Sequence, residues 1–249
     1  MGDYLCHSEP NLVEFEATVV ETRPGAVVLS RSALHPGGGG QVCDRASLEH
    51  RHGAAVICDV VKEGDVWWHV LDTPEEVADA VVVRIDRDHR ARVAQLHTAT
   101  HILNAFVFQR FDGALVTGAQ IYGDGTARMD FDLPGAQSED LRSIEHDIND
   151  VIRGGPDVRS IYMAAEAAAA IPGMIRSRSV APPPTSDGRL RTIEILELDQ
   201  QACGGTHIAN TAMSPPVRIA KIDNKGRHNR RIRLALVEQP VGASEVRFV

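Results

Sequence analysis

No stretch of this sequence is apolar for the roughly 18 residues that a membrane-spanning helix needs, so no such helix and no membrane partner are expected. Residues 1–11 are mixed polar and hold no apolar h-region, so no secretion signal is expected. Cysteine is scarce. Cys6, Cys43, Cys58 and Cys203 are the only four, and none stands in a Cys-x-x-Cys pair. In a chain of 249 residues that argues against a disulfide framework and for a reducing, cytoplasmic setting. Positive charge is in deficit, 26 Lys and Arg against 34 Asp and Glu, a formal net charge of −8. The balance excludes nucleic-acid binding by the whole surface and leaves room for a local basic patch. No internal repeat is visible.

What is present reads as a soluble globular chain, 43% hydrophobic and 24% charged. From Val13 to about Val83, short β-branched and aromatic runs alternate with turns at Pro24-Gly25 and Glu63-Gly64-Asp65. This pattern predicts antiparallel hairpins closing a small β-barrel or sandwich. At Asp86 the period changes. Residues 88–111 read as one long helix, and 118–133 as a hairpin. A second helix follows with Ser138 as its expected N-cap, then a strand over 158–162 and an alanine-rich helix over 164–170. Residues 177–188, with Pro182 to Pro184, read as a loop. Single strands are expected over 190–198, 217–222 and 231–237. The fold class expected is α+β: an antiparallel barrel over residues 1–85, then an α+β unit over 86–249.

Three stretches carry chemistry. His97 and His101 are four apart, which stacks both imidazoles on one helix face. The pair lacks the glutamate of a His-Glu-x-x-His metalloprotease, and alone it fits solvated or core histidines better than ligands. Cys203-x-x-x-His207 adds a thiolate and a third imidazole, which together complete a zinc-type donor set; by itself Cys203 could equally be a buried structural thiol. Gly37 to Gly40, followed by Gln41, cannot be a helix or strand interior at low cost. The run is either a flexible turn or a place of close backbone approach, and no Gly-Lys-Ser/Thr follows to make it a P-loop. Between Arg218 and Arg233 seven cations stand with Asp223 as the only acid; this is either a phosphate-binding footprint or a solvated strand face.

Taken together, the run from Arg92 through His97-Thr98-Ala99-Thr100-His101-Ile102-Leu103, the run Cys203-Gly204-Gly205-Thr206-His207 with Asn210-Thr211, and the proline–glycine loop ending in Gln41 and Asp44 resemble the AlaX family. These are freestanding relatives of the alanyl-tRNA synthetase editing domain, and the likeness runs from about Val13 to Val237. The resemblance implies Zn²⁺ held by His97, His101, Cys203 and His207. It implies hydrolysis of a wrong amino acid from the acceptor end of tRNA(Ala), chiefly serine, with glycine a second candidate. It implies catalytic roles for Gln41 and for Ser32, which stands where the family has a threonine that senses the serine hydroxyl. It implies substrate contacts from Gly38, Gly39, Gly40 and Thr206, and acceptor-stem contacts from Lys225, Arg230 and Arg231. The chain departs from the family at Gly37, at Leu34-His35 and at Ala212-Met213-Ser214-Pro215. The alternative from another class is a zinc-stabilised module that binds tRNA or a protein partner without hydrolysis.

Overall fold

The computed structural model describes residues 5–177, 182–237 and 246–249. After a short turn of helix, α1 (Leu5–Ser8), six strands form a closed antiparallel barrel. They are β1 (Glu14–Arg23), β2 (Ala26–Leu29), β3 (Ala46–His50), β4 (Gly53–Glu63), β5 (Val66–Leu71) and β6 (Ala80–Ile85), in the order β1-β2-β5-β4-β3-β6. Of the two architectures expected, the barrel is the one formed. Alternation drives it: Val27, Leu48, Ile57 and Val83 point inward and are fully buried. Strand β3 escapes sequence reading because only Ala46 and Leu48 of its five residues face the core. It is nevertheless the closing strand, paired to β4 on one side and β6 on the other.

Helix α2 (Arg87–Arg110) starts two residues after the barrel's last strand. Asp86 caps it, its carboxylate accepting from the His89 N–H at 2.9 Å. Seventeen of its 24 residues are buried, so its polar side chains must find partners inside the protein. Arg90, fully buried, is ion-paired to Asp44. The same Asp44 carboxylate accepts the His35 N–H at 2.6 Å, which fixes the glycine loop against the helix.

Beyond α2 come β7 (Val116–Ile121), β8 (Thr126–Asp132), α3 (Ser138–Gly154), β9 (Val158–Ala164), α4 (Ala165–Ala170), β10 (Arg189–Ile195), β11 (Asp199–Ala202), β12 (Val217–Lys225) and β13 (Asn229–Leu236). They make a four-stranded sheet, β12-β13-β8-β7, and a three-stranded one, β11-β10-β9. The main core lies among α2, α3 and these sheets, around Leu96, Ile102, Leu103, Phe131, Ile144 and Ile232. Two expectations are corrected. Ser138 is the first helical residue of α3; the cap is Gln137, whose side chain makes no capping bond. The expected strand over 190–198 breaks at Glu197, which takes a φ of +60°, and returns as β11. Residues 178–181 of the expected loop lie outside the described residues.

Candidate metal centre

The two halves meet. His97, His101, Cys203 and His207 each bring one donor atom to a common point, all within 4.8 Å of one another. Cys203 Sγ lies 3.4 Å from both His97 Nε2 and His207 Nε2. Helix α2 supplies two donors from one face, and the segment after β11 supplies the others. That segment can pass so close because residue 205 is glycine: a Cβ there would sit 2.1 Å from His97 Cε1 and 2.6 Å from Gln41 Oε1. The backbone of His207 is in turn clasped by Val249, with the N–H of Val249 donating to His207 O at 3.0 Å. Buried Arg191 donates to the carbonyls of Cys203 and Gly205, at 3.0 and 2.8 Å.

The hydrogen-bond network selects the tautomers. His97 Nδ1–H donates to Gln41 Oε1 at 2.8 Å, and the Thr206 N–H donates to the same oxygen at 3.0 Å. This leaves His97 Nε2 as a bare lone pair facing Cys203. The Thr98 hydroxyl gives its one proton to Ala94 O at 2.9 Å, so it accepts from His207 Nδ1 at 3.2 Å. His207 Nε2 is therefore also a bare lone pair. Partners of this kind on the far nitrogen orient histidine ligands at metal sites. Burial lowers the histidines' proton affinity: it takes His101 down to about 3 and holds His97 and His207 well below the ordinary imidazole value, with neighbouring rings or arginines adding to it. All three are neutral donors at pH 7. Burial pushes the Cys203 thiol up, against the pull of Arg191, so binding a cation here releases a proton. Three imidazoles and one thiol converging on one point are a donor set fitted to a metal ion.

The cluster opens on a cavity of about 330 Å³, at the small end of the roughly 300–1,000 Å³ usual for ligand sites. His97, His101 and Cys203 line it, and His207 lies behind them. Gly38, Gly39 and Gly40 line it, with Arg128 and Arg176 as its cations; no carboxylate does so among the described residues. The loop is no loose turn: Gly40 O accepts from the Ile121 N–H at 2.7 Å, and a Cβ on Gly40 would meet Ala119 O at 2.6 Å.

The other predicted residues stand apart from the cavity surface. Gln41 and Thr206 are buried behind His97, bonded to each other by Gln41 Nε2 to Thr206 Oγ1 at 3.0 Å. Ser32 does not line the cavity; its hydroxyl pairs with barrel His69 at 2.9 Å. Lys225 is exposed at the β12–β13 turn. Arg230 reaches the carbonyls of Ala136 and Asn229, both at 3.3 Å. Arg231 is held by both oxygens of Asp130, at 2.7 and 2.8 Å, and Asp130 also holds the cavity's Arg128 at 2.9 Å. Sequence reading missed His35, Asn104, Arg176, Gln201 and Arg191. These are ordinary polar residues at no diagnostic spacing, and only their burial at one place marks them.

Comparison with known proteins agrees with this geometry. A family model described as the threonyl and alanyl tRNA synthetase second additional domain matches residues 190–233, the segment that holds Cys203 and His207. The alanyl-tRNA editing protein AlaX-M of Saccharolobus solfataricus is 30% identical over 236 residues, 93% of this chain and 98% of that protein. Its counterpart in Methanosarcina barkeri is 34% identical, over 96% of this chain and all of that protein. The alanine–tRNA ligase of Korarchaeum cryptofilum is 34% identical over 86% of this chain but only 24% of its own length. With near-complete coverage of both partners, the chain belongs to the AlaX-M family of alanyl-tRNA editing proteins.

Proposed function

We propose that this protein acts in trans, in the cytoplasm, to hydrolyse the wrong amino acid from tRNA(Ala), serine first and glycine second, with Zn²⁺ as its metal. The observation that carries this is the set of four buried donors, three of which form the wall of a small cavity that no carboxylate lines among the described residues. The names of its relatives support it, since they include alanyl-tRNA editing proteins. The donor set supports zinc: one soft sulfur and three imidazoles suit that ion over Mg²⁺ or Ca²⁺. In this reading residues 1–85 form a barrel domain and residues 86–249 the editing domain.

The chemistry needed is ester hydrolysis. The oxygen of a water bonds to the aminoacyl carbonyl carbon, the bond to the ribose oxygen breaks, and that oxygen takes the water's proton. Bound Zn²⁺ supplies Lewis acidity for orienting the aminoacyl end. The chain's own residues do the rest. Gln41 and Thr98 keep two imidazoles aligned. Arg128 and Arg176 bring guanidinium groups to the cavity, each ion-paired to a carboxylate, Asp130 and Asp199, and meet a phosphate-bearing terminus. The glycine loop lets the terminal nucleotide lie against backbone. No carboxylate lines the cavity among the described residues, and in this reading proton transfer falls to the substrate's neighbouring ribose hydroxyl. Lys225 and Arg230, with Arg231 behind them, meet the acceptor stem. The biological logic is a second sieve: a pocket sized for alanine discriminates poorly against serine and glycine.

The test is deacylation of Ser-, Gly- and Ala-tRNA(Ala) by the wild type and Cys203→Ala. Rapid clearance of the seryl form by the wild type alone is expected, and clearance no faster than in buffer would refute the reading. Four protein donors can also close a tetrahedral site. This favours a second reading, a zinc-stabilised tRNA- or partner-binding module; it predicts that chelation unfolds the protein and that no mischarged tRNA is ever cleared.

A further inference from the structure

Asn104 stands three residues after His101 on α2, so its side chain falls on the face that carries both histidines, and all three line the one cavity. Its amide orientation is fixed from a distance. Arg176 holds Asp199 through two bonds, Nη1 to Oδ2 at 3.0 Å and Nη2 to Oδ1 at 2.6 Å. Gln201 Nε2 spends its two hydrogens on Asp199 Oδ2, at 2.5 Å, and on His101 O, at 3.0 Å. Gln201 can therefore offer Asn104 only its oxygen, and Asn104 Nδ2 donates to it at 2.6 Å. The other end of the amide is then an acceptor. Asn104 Oδ1 is buried with no hydrogen-bond partner among the described residues, in a residue only 4% exposed. A buried orphan acceptor at a cavity wall calls for a donor, and native structures keep few of them.

We propose that Asn104 Oδ1 accepts the side-chain hydroxyl proton of the serine to be removed and is the residue by which the site tells serine from alanine. The proposal rests on the deacylase reading above and deepens it. The ligand's α-ammonium suits this position less, because Arg176 and Arg191 both repel cations around His101. A neutral hydroxyl matches a neutral acceptor. The discrimination follows from what alanine would do there: its methyl group brings no donor and leaves the buried Oδ1 unbonded. Sites built to hydrogen-bond a hydroxyl reject analogues that lack it for this reason. Ser32 cannot serve in its place, since its hydroxyl is turned to His69 and lies outside the cavity wall.

The experiment measures binding by calorimetry to the zinc-loaded protein. The probes are non-hydrolysable 3′-amino-3′-deoxyadenosine amides of serine, alanine and 3-fluoroalanine, the last being close to serine in size but without the donor. The wild type should bind the seryl amide at least about tenfold more tightly than the other two, the effect of one hydrogen bond. Asn104→Ala should lose that ratio. Equal wild-type binding of the seryl and 3-fluoroalanyl amides overturns the proposal, and this arm needs no variant to fold. Thr100 offers a control, since it lines the same cavity and its hydroxyl, after giving its proton to His97 O at 2.7 Å, is left as an acceptor. A seryl preference lost in Thr100→Val but kept in Asn104→Ala also overturns the proposal. Deacylation of Ser-tRNA(Ala), run beside these, separates the two levels. A wild type that prefers the seryl amide but clears no Ser-tRNA(Ala) refutes the deacylase reading alone. Clearance with an unchanged seryl preference in Asn104→Ala refutes the role of Asn104 alone.

Discussion

Replacing Gln41 with leucine removes one small amide and leaves four groups to resettle. Gln41 Oε1 takes the His97 Nδ1–H at 2.8 Å and the Thr206 N–H at 3.0 Å, while Nε2 reaches Thr206 Oγ1 at 3.0 Å and His35 Nδ1 at 3.2 Å. The two donors that lose their oxygen are buried. Each orphaned buried donor costs about 1–3 kcal/mol, so Gln41→Leu should destabilise the fold by about 2–6 kcal/mol. The second effect falls on the metal. With its far nitrogen unpaired, His97 loses both its fixed tautomer and its fixed ring angle, and such losses typically weaken metal affinity by about 10–100-fold. Gln41→Glu separates the two effects. A carboxylate still accepts both hydrogens; the Thr206 hydroxyl can rotate to donate to it, but His35 can do so only by a tautomer change that withdraws its proton from Gly204 O at 2.9 Å. Zinc competition against a calibrated chelator and urea unfolding should therefore rank wild type above Gln41→Glu above Gln41→Leu. A Gln41→Leu variant with wild-type zinc affinity and an unshifted urea midpoint would refute the view that this amide positions the site.

Other perturbations follow from the same geometry. Gly205→Ala places a methyl group against His97 and Gln41, and is expected to abolish stoichiometric metal content; a soluble variant with a full complement of zinc by elemental analysis contradicts it. Burial holds His69 at about 4, whereas the unfolded chain titrates near 6.5. The unfolded state thus takes a proton that the fold refuses, so this contribution is complete above about pH 6.5 and is lost as pH falls towards 4, by about 3 kcal/mol at most. Urea unfolding between pH 7 and 4.5 should show a shallower pH dependence in His69→Asn, and parallel curves would count against it. Lys225→Ala and Arg230→Ala should each weaken tRNA binding and flatten its salt dependence by about one charge. Arg231→Ala should lower stability more than binding, because it strips a partner from Asp130; filter binding at several salt concentrations distinguishes the cases.

How much of this was legible in the chain depends on the range of the interaction. The hairpins β1–β2 and β4–β5 announce themselves through turns at Pro24-Gly25 and Glu63-Gly64-Asp65, because turn chemistry is local. Helix α2 is legible to within one residue at either end from the change of pattern at Asp86, although it is buried on nearly every side and its cap at Asp86 escapes sequence reading. β3 is not, since its two inward residues become a strand only between β4 and β6. Ser138 is a favoured capping residue by type but falls one place inside α3. The donor set was readable because histidine and cysteine at four-residue spacing are uncommon together. The line from Arg176 through Asp199 and Gln201 to Asn104 was not. Its members are common residues, Gln201 lies 97 positions from Asn104, and an orphaned oxygen exists only once every other hydrogen bond around it has been assigned.

The pairing of His207 with Val249 also sets an order in time. During synthesis the barrel strands emerge first and can close without anything downstream, because β6 already pairs with both β1 and β3. A nascent chain stopped before residue 203 holds only His97 and His101 of the four donors. One stopped before residue 249 holds all four but lacks the clasp on the last. Metal capture then waits on residue 249, and ribosome-stalled chains of increasing length should stay zinc-free until that residue has cleared the exit tunnel.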